Sequence, residues 1–77
     1  MTKVELTKEP VELYKILKFE GLASSGAEAK MVIEQGLVMV NGLVETRKRK
    51  KIVSGDTIEF DSEVLTMCLM SHHVSEG

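Results

Sequence analysis

The chain has 77 residues, a formal net charge of −2, 43% hydrophobic and 29% charged residues, and one cysteine, Cys68. That balance belongs to a folding globular chain and excludes a disordered tail, and a lone cysteine excludes an internal disulfide framework. A single domain over residues 1–77 is expected, with a core worth only ~3–5 kcal/mol and little room for a buried catalytic cleft.

Lys3–Leu6 alternates as a short strand does, with Val4 and Leu6 on one face. The same alternation lacks the apolar block of a signal peptide, and no stretch approaches the ~18 apolar residues of a membrane helix. A cytoplasmic protein without membrane contact is therefore expected. Pro10 fits the first turn of a helix, where its missing N–H costs nothing. Val11, Leu13, Tyr14, Ile16, Leu17 and Phe19 supply the apolar face of that helix, and Gly21 ends it. Ser25 and Glu28 are spaced as a capping box, in which the serine oxygen takes the Glu28 N–H and the glutamate returns to the serine N–H. A second helix starts there, buries Ala29, Val32 and Ile33, and stops at Gly36. The short connection makes the two helices neighbours. Val38-Met39-Val40 then runs into Asn41-Gly42, the signature of a two-residue hairpin, because both turn positions need positive φ. Leu43, Val44 and Glu45 begin the return strand. Ser54-Gly55-Asp56 is a further turn, Ile58 and Phe60 share one strand face, and Glu63–Met70 reads as a last strand before a loose end at His72–Gly77.

Charge is unevenly spread along the chain. Residues 1–20 balance to zero, residues 21–45 carry −2, residues 46–51 carry +5 and residues 52–77 carry −5. Screening over ~10 Å means that a partner near Arg47–Lys51 would feel that run rather than the global charge, so a polyanion is the obvious partner. An extended run would place Arg47, Arg49 and Lys51 on one side and Lys48 and Lys50 on the other.

The order of helix, turn, Ser-capped helix, Gly36-Leu37-Val38-Met39-Val40-Asn41-Gly42 hairpin and Gly55-Asp56-Thr57-Ile58 closing strand resembles the RNA-binding domain named after the fourth protein of the small ribosomal subunit, also called the alpha-L motif. The resemblance covers about residues 11–60, and the chain is similar to small freestanding bacterial proteins made of this domain with one extra strand at each end. It implies an α+β fold, two adjacent helices packed on a small, mainly antiparallel sheet. It further implies RNA binding on a concave surface formed by the helices and hairpin, with ribosomal or ribosome-associated RNA as the partner. The family commonly shows Ser-Arg-x-x-Ala-Arg at the second helix, where this chain has Ser25-Gly26-Ala27-Glu28-Ala29-Lys30. Lys30 thus stands at a family contact position as a point charge, and Gly26 offers only backbone where the family has a guanidinium fork. Weaker contact at the helix is expected, with the run at 47–51 as the compensating feature.

The expected RNA-binding set is Ser25, Lys30, Arg47, Lys48, Arg49, Lys50 and Lys51. The cations would take phosphates, and Ser25 would set the helix N-terminus, whose N–H groups favour an anion. Lys15 and Lys18 read as ordinary surface lysines. Tyr14 and Phe19 read as core, since a chain with 4% aromatics is poorly equipped to stack on single strands. Recognition of a folded RNA by shape follows. Cys68, His72 and His73 lack a fourth partner at a zinc spacing, so no metal is expected, and no cofactor either. No nucleophile with a base, no paired carboxylates and no Gly-rich phosphate loop is present, so the reading is a noncatalytic, monomeric RNA-binding module. The alternative is a protein-interaction adaptor that uses its charged surface.

Overall fold

The computed structural model describes residues 2–69. Strand β1 (Thr2–Leu6) is followed by a two-residue strand β2 (Val11–Glu12), helix α1 (Leu13–Phe19), helix α2 (Gly26–Glu34), the hairpin β3 (Met39–Val40) and β4 (Leu43–Val44), a short β5 (Lys51–Ile52), then β6 (Thr57–Phe60) and β7 (Glu63–Leu69). Five strands form one sheet in the order β1-β7-β6-β3-β4, antiparallel except for the parallel pair β1–β7, while β2 and β5 form a second, two-stranded sheet. The mainly antiparallel α+β architecture is the one expected. The proposed extra strands at the two ends are β1 and β7, which pair with each other, Val4 opposite Met67.

Both helices bury one stripe in a shared core. Leu13, Ile16 and Leu17 of α1 and Ala29, Val32 and Ile33 of α2 meet Val38 from the segment before β3 and Val40, Ile52, Ile58, Leu65 and Met67 from the strands. Val4 and Leu6 close the core from β1, as their alternation required. Each of the larger side chains contributes ~1.5–3 kcal/mol by leaving water, against the entropy of ordering it. Among the described residues no polar or charged side chain is buried, and no helix is long and apolar enough to cross a membrane.

Glycine closes both helices in the same way. At the end of α1 the Leu22 N–H donates to the Leu17 carbonyl and the Gly21 N–H to that of Lys18, with Gly21 at φ 77°. At the end of α2 Leu37 and Gly36 donate to Val32 and Ile33, with Gly36 at φ 78°. These crossed pairs satisfy carbonyls that a helix end leaves without partners.

Three expectations are corrected. Pro10 does not open α1. Val11 and Glu12 pair instead with Ile52 and Lys51, and the helix begins at Leu13 because the Leu13 and Tyr14 N–H groups find the carbonyls of Lys50 and Lys48 at 2.9 and 3.1 Å. Phe19 does not lie in the core but is 69% exposed in the last turn of α1. The capping box is shifted by one residue. Ser25 Oγ accepts the Glu28 N–H at 3.1 Å as expected, but the Glu28 carboxylate accepts from the N–H and hydroxyl of Ser24, both at 2.6 Å. Those two bonds, the hydroxyl first, hold the Glu28 carboxyl below its ordinary pKa.

Candidate nucleic-acid interface

The Asn41-Gly42 turn has φ of 54° and 83°, the left-handed pair that the hairpin requires. Its side chain also ties the hairpin to the neighbouring turn. Asn41 Nδ2 donates to Asp56 at 3.0 Å, its Oδ1 accepts the Thr57 N–H at 2.9 Å, and its own N–H donates to the Thr57 carbonyl at 2.8 Å. Asp56 in turn accepts the Val53 N–H at 3.0 Å. The two most specific sequence motifs are therefore one bonded unit, and it fixes both ends of the segment that carries the basic run.

That segment is not extended. The Lys50 N–H donates to the Arg47 carbonyl at 3.1 Å, which makes a turn over Lys48 and Arg49. Carbonyls of this turn also receive the first N–H groups of α1, so the loop backbone is committed to the helix and its side chains radiate outward. The division into two alternating sets of cations is thereby corrected, because alternation needs a strand and only Lys51 lies in one.

Three of the five cations pair with three different carboxylates. Arg47 is 71% exposed and clasps Glu45 through Nε at 2.8 Å and Nη2 at 3.2 Å, while its N–H donates to the same carboxylate at 3.0 Å. The Arg47 side-chain bonds, opposed by burial, hold the Glu45 carboxyl below its ordinary pKa, and the pair raises that of Arg47. Lys48 reaches Glu34 of α2 at 2.8 Å. Arg49 reaches Glu12 at 3.3 Å, and Lys15 reaches the same carboxylate at 3.6 Å. Partial burial of Glu12 works to raise its pKa, but Arg49, Lys15 and Lys51 outweigh it and the net shift is downward. Lys50 is half-buried beside Arg47 along a shallow groove against β4.

Lys30 lies elsewhere on the same face, with Nζ 4.6 Å from the centre of the Tyr14 ring. Arg49 approaches that ring to 5.5 Å and Lys15 to 6.0 Å. Tyr14 is half-buried, its ring packed on the core at one side and among these cations at the other. A side chain at Gly26 would begin 3.7 Å from Tyr14 Cε2, so the position where the resembling family carries arginine abuts this ring. Lys30 and Arg49 are thus brought together, Ser25 adjoins them through Gly26, Lys48 points to α2, and Arg47 and Lys50 lie toward β4. Among the described residues the seven cations Lys15, Lys30 and 47–51 form ion pairs with Glu12, Glu34 and Glu45 alone, an excess of four positive charges in a chain of net charge −2, while Glu5 and Glu20 share a groove with Lys15 and Lys51. Sequence reasoning missed Tyr14, Lys15, Glu12 and Glu45. The one available signal was Gly26 itself, a helix-start residue without a side chain that leaves room for a ring. Cys68 is a partly exposed strand residue, while His72 and His73 lie outside the described residues.

Comparison with known proteins bears on the family and the fold. The family model described as the S4 domain matches residues 4–67, from within β1 to within β7. A candidate RNA-binding protein of Escherichia coli (strain K12), YbcJ, is 54% identical over 61 residues, covering 78% of this chain and 87% of its own. YbcJ of Shigella flexneri matches to the same extent. The solution structure of E. coli YbcJ, described as revealing an alfaL motif involved in RNA-binding, superposes with a TM-score of 0.68 at 48% identity, over 88% of this chain and 87% of that one. The fold and motif resemblance drawn from the residues is thereby met, and the chain belongs to the S4-domain family.

Proposed function

We propose that this protein is a noncatalytic RNA-binding module of the bacterial cytoplasm, acting as a monomer on structured RNA of ribosomal or ribosome-associated origin. Ser25, Lys30, Arg47, Lys48, Arg49, Lys50 and Lys51 form the contact set, joined by Lys15. The observation that carries this reading is the excess of four positive charges over ion-paired carboxylates among the cations of α1, α2 and the loop 45–51, with Lys15, Lys30 and Arg49 gathered at the Tyr14 ring. Family membership and the likeness to YbcJ support it. Exposed pairs such as Lys48–Glu34 contribute only ~0–1 kcal/mol, so phosphates can displace the glutamates at little cost. Counterion release then supplies the affinity, and the rigid loop backbone supplies the shape.

Titration of the protein with a folded ribosomal RNA fragment at several salt concentrations tests the reading. The expected result is an affinity that falls linearly on logarithmic axes as salt rises, with a slope of roughly 0.7–0.9 per phosphate contact. Absence of binding at low salt would remove the RNA reading and favour the adaptor.

A further inference from the structure

Three cations from three separate elements converge on one aromatic ring. Lys15 comes from α1, Lys30 from α2 and Arg49 from the loop, with charges 6.0, 4.6 and 5.5 Å from the centre of the Tyr14 ring. Like charges gathered so closely repel one another, and among the described residues Glu12, paired with Lys15 and Arg49, is the only carboxylate in ion-pair contact with any of the three. Among the described residues Lys30 has no carboxylate partner, and Arg49 engages only Nη1, with Glu12. The negative face of the ring is what permits the convergence, since it attracts ammonium and guanidinium groups alike. A base could not stack on the face that Lys30 already covers. A compact anion placed between Lys30 and the free edge of Arg49 would instead receive donors from both, and phosphate matches that planar fork.

We infer that Tyr14 is a positioning residue that gathers Lys15, Lys30 and Arg49 into a site for one phosphate group, filled in RNA by a backbone phosphodiester. The RNA part of this inference rests on the function proposed above. Gly26 keeps the ring edge accessible, because a side chain there would begin 3.7 Å from Tyr14 Cε2.

The test is a double-mutant cycle on a hairpin RNA with 5′-hydroxyl ends, comparing wild type with Tyr14→Phe, Tyr14→Leu, Lys30→Ala and Tyr14→Leu/Lys30→Ala. Tyr14→Phe keeps the ring and should bind as wild type does. Tyr14→Leu and Lys30→Ala should each weaken binding roughly tenfold, the effect of about one charge-assisted contact. Their combination should cost clearly less than the product of the two, because Lys30 without the ring is no longer held in place. A purely structural role for Tyr14 would leave the Lys30→Ala effect the same in both backgrounds. Lys30 lies outside the core, so where Tyr14→Leu fails to fold, Lys30→Ala and Arg49→Ala still decide the phosphate site. Wild-type affinity in Lys30→Ala and Arg49→Ala, with weakening in Arg47→Ala, would overturn the site and leave the RNA reading standing. Should wild type bind no RNA, amide shift mapping with inorganic pyrophosphate decides the site alone. Shifts confined to residues around Tyr14, Gly26 and Lys30 uphold it, and their absence overturns it.

Discussion

At Asn41 the backbone φ of 54° is one that few non-glycine residues adopt, and the side chain offsets that cost by bonding to Asp56 and Thr57. Asparagine is therefore needed for two reasons, of which only the turn conformation was readable locally. Asn41→Gly separates them, since glycine takes the same φ freely but offers no amide. We expect it to lower stability by about 1–2 kcal/mol, because two exposed bonds of ~0.5–1.5 kcal/mol each are lost and the unfolded chain gains entropy. Thermal unfolding should drop by roughly 5–10 °C for a domain of this size. An unchanged transition would mean that the bonds to Asp56 and Thr57 contribute nothing. Asn41-Gly42→Val-Val should cost more, since a β-branched residue resists the positive φ as well.

Among the elements, the loop from Glu45 to Ile52 separates backbone from side-chain duties. Its carbonyls start α1 and its cations face outward, so changing Arg47, Arg49 and Lys51 together to Ala should leave circular dichroism unchanged and lower the unfolding midpoint only by the small share of the exposed pairs with Glu45 and Glu12. The same variant should bind RNA more weakly across many sequences, with a salt slope shallower by about 0.7 for each lost contact to single-stranded RNA. Equal affinity and equal slope would place the binding face elsewhere. How the elements were read follows the range of the forces that set them. The start of α2 was legible because Ser25 caps an N–H three residues on, and the hairpin because its two turn residues carry their own φ demand. Pro10 misled because the start of α1 is decided by carbonyls of Lys48 and Lys50 and by pairing with Ile52, none of them local. The Tyr14 cluster escaped notice for the same reason, since its cations arrive from another helix and a loop. Phe19 looked like core by spacing alone, yet the helix ends there and the ring points into solvent at 69% exposure.

Over the whole molecule, acid should act through three glutamates whose pKa values lie below the ordinary 4.5. These are Glu28, bonded by Ser24, Glu45, clasped by Arg47, and Glu12, where Arg49 and Lys15 outweigh partial burial. In the unfolded chain these partners are gone, so the unfolded state binds protons more readily between the folded values and 4.5, and stability rises with pH there. The stabilisation is fully present above about pH 4.5 and is lost as pH falls through the folded values. Urea midpoints measured from pH 7 to pH 3 should hold steady at first and then decline below about pH 4.5. The variant Glu12→Gln/Glu28→Gln/Glu45→Gln should be less stable at pH 7 and should decline less on acidification, because it has already lost the charges that protonation would remove. The two curves should therefore converge at low pH. If they stay parallel throughout, the acid sensitivity belongs to other carboxylates, and the charges of Glu12, Glu28 and Glu45 make no net contribution to folding.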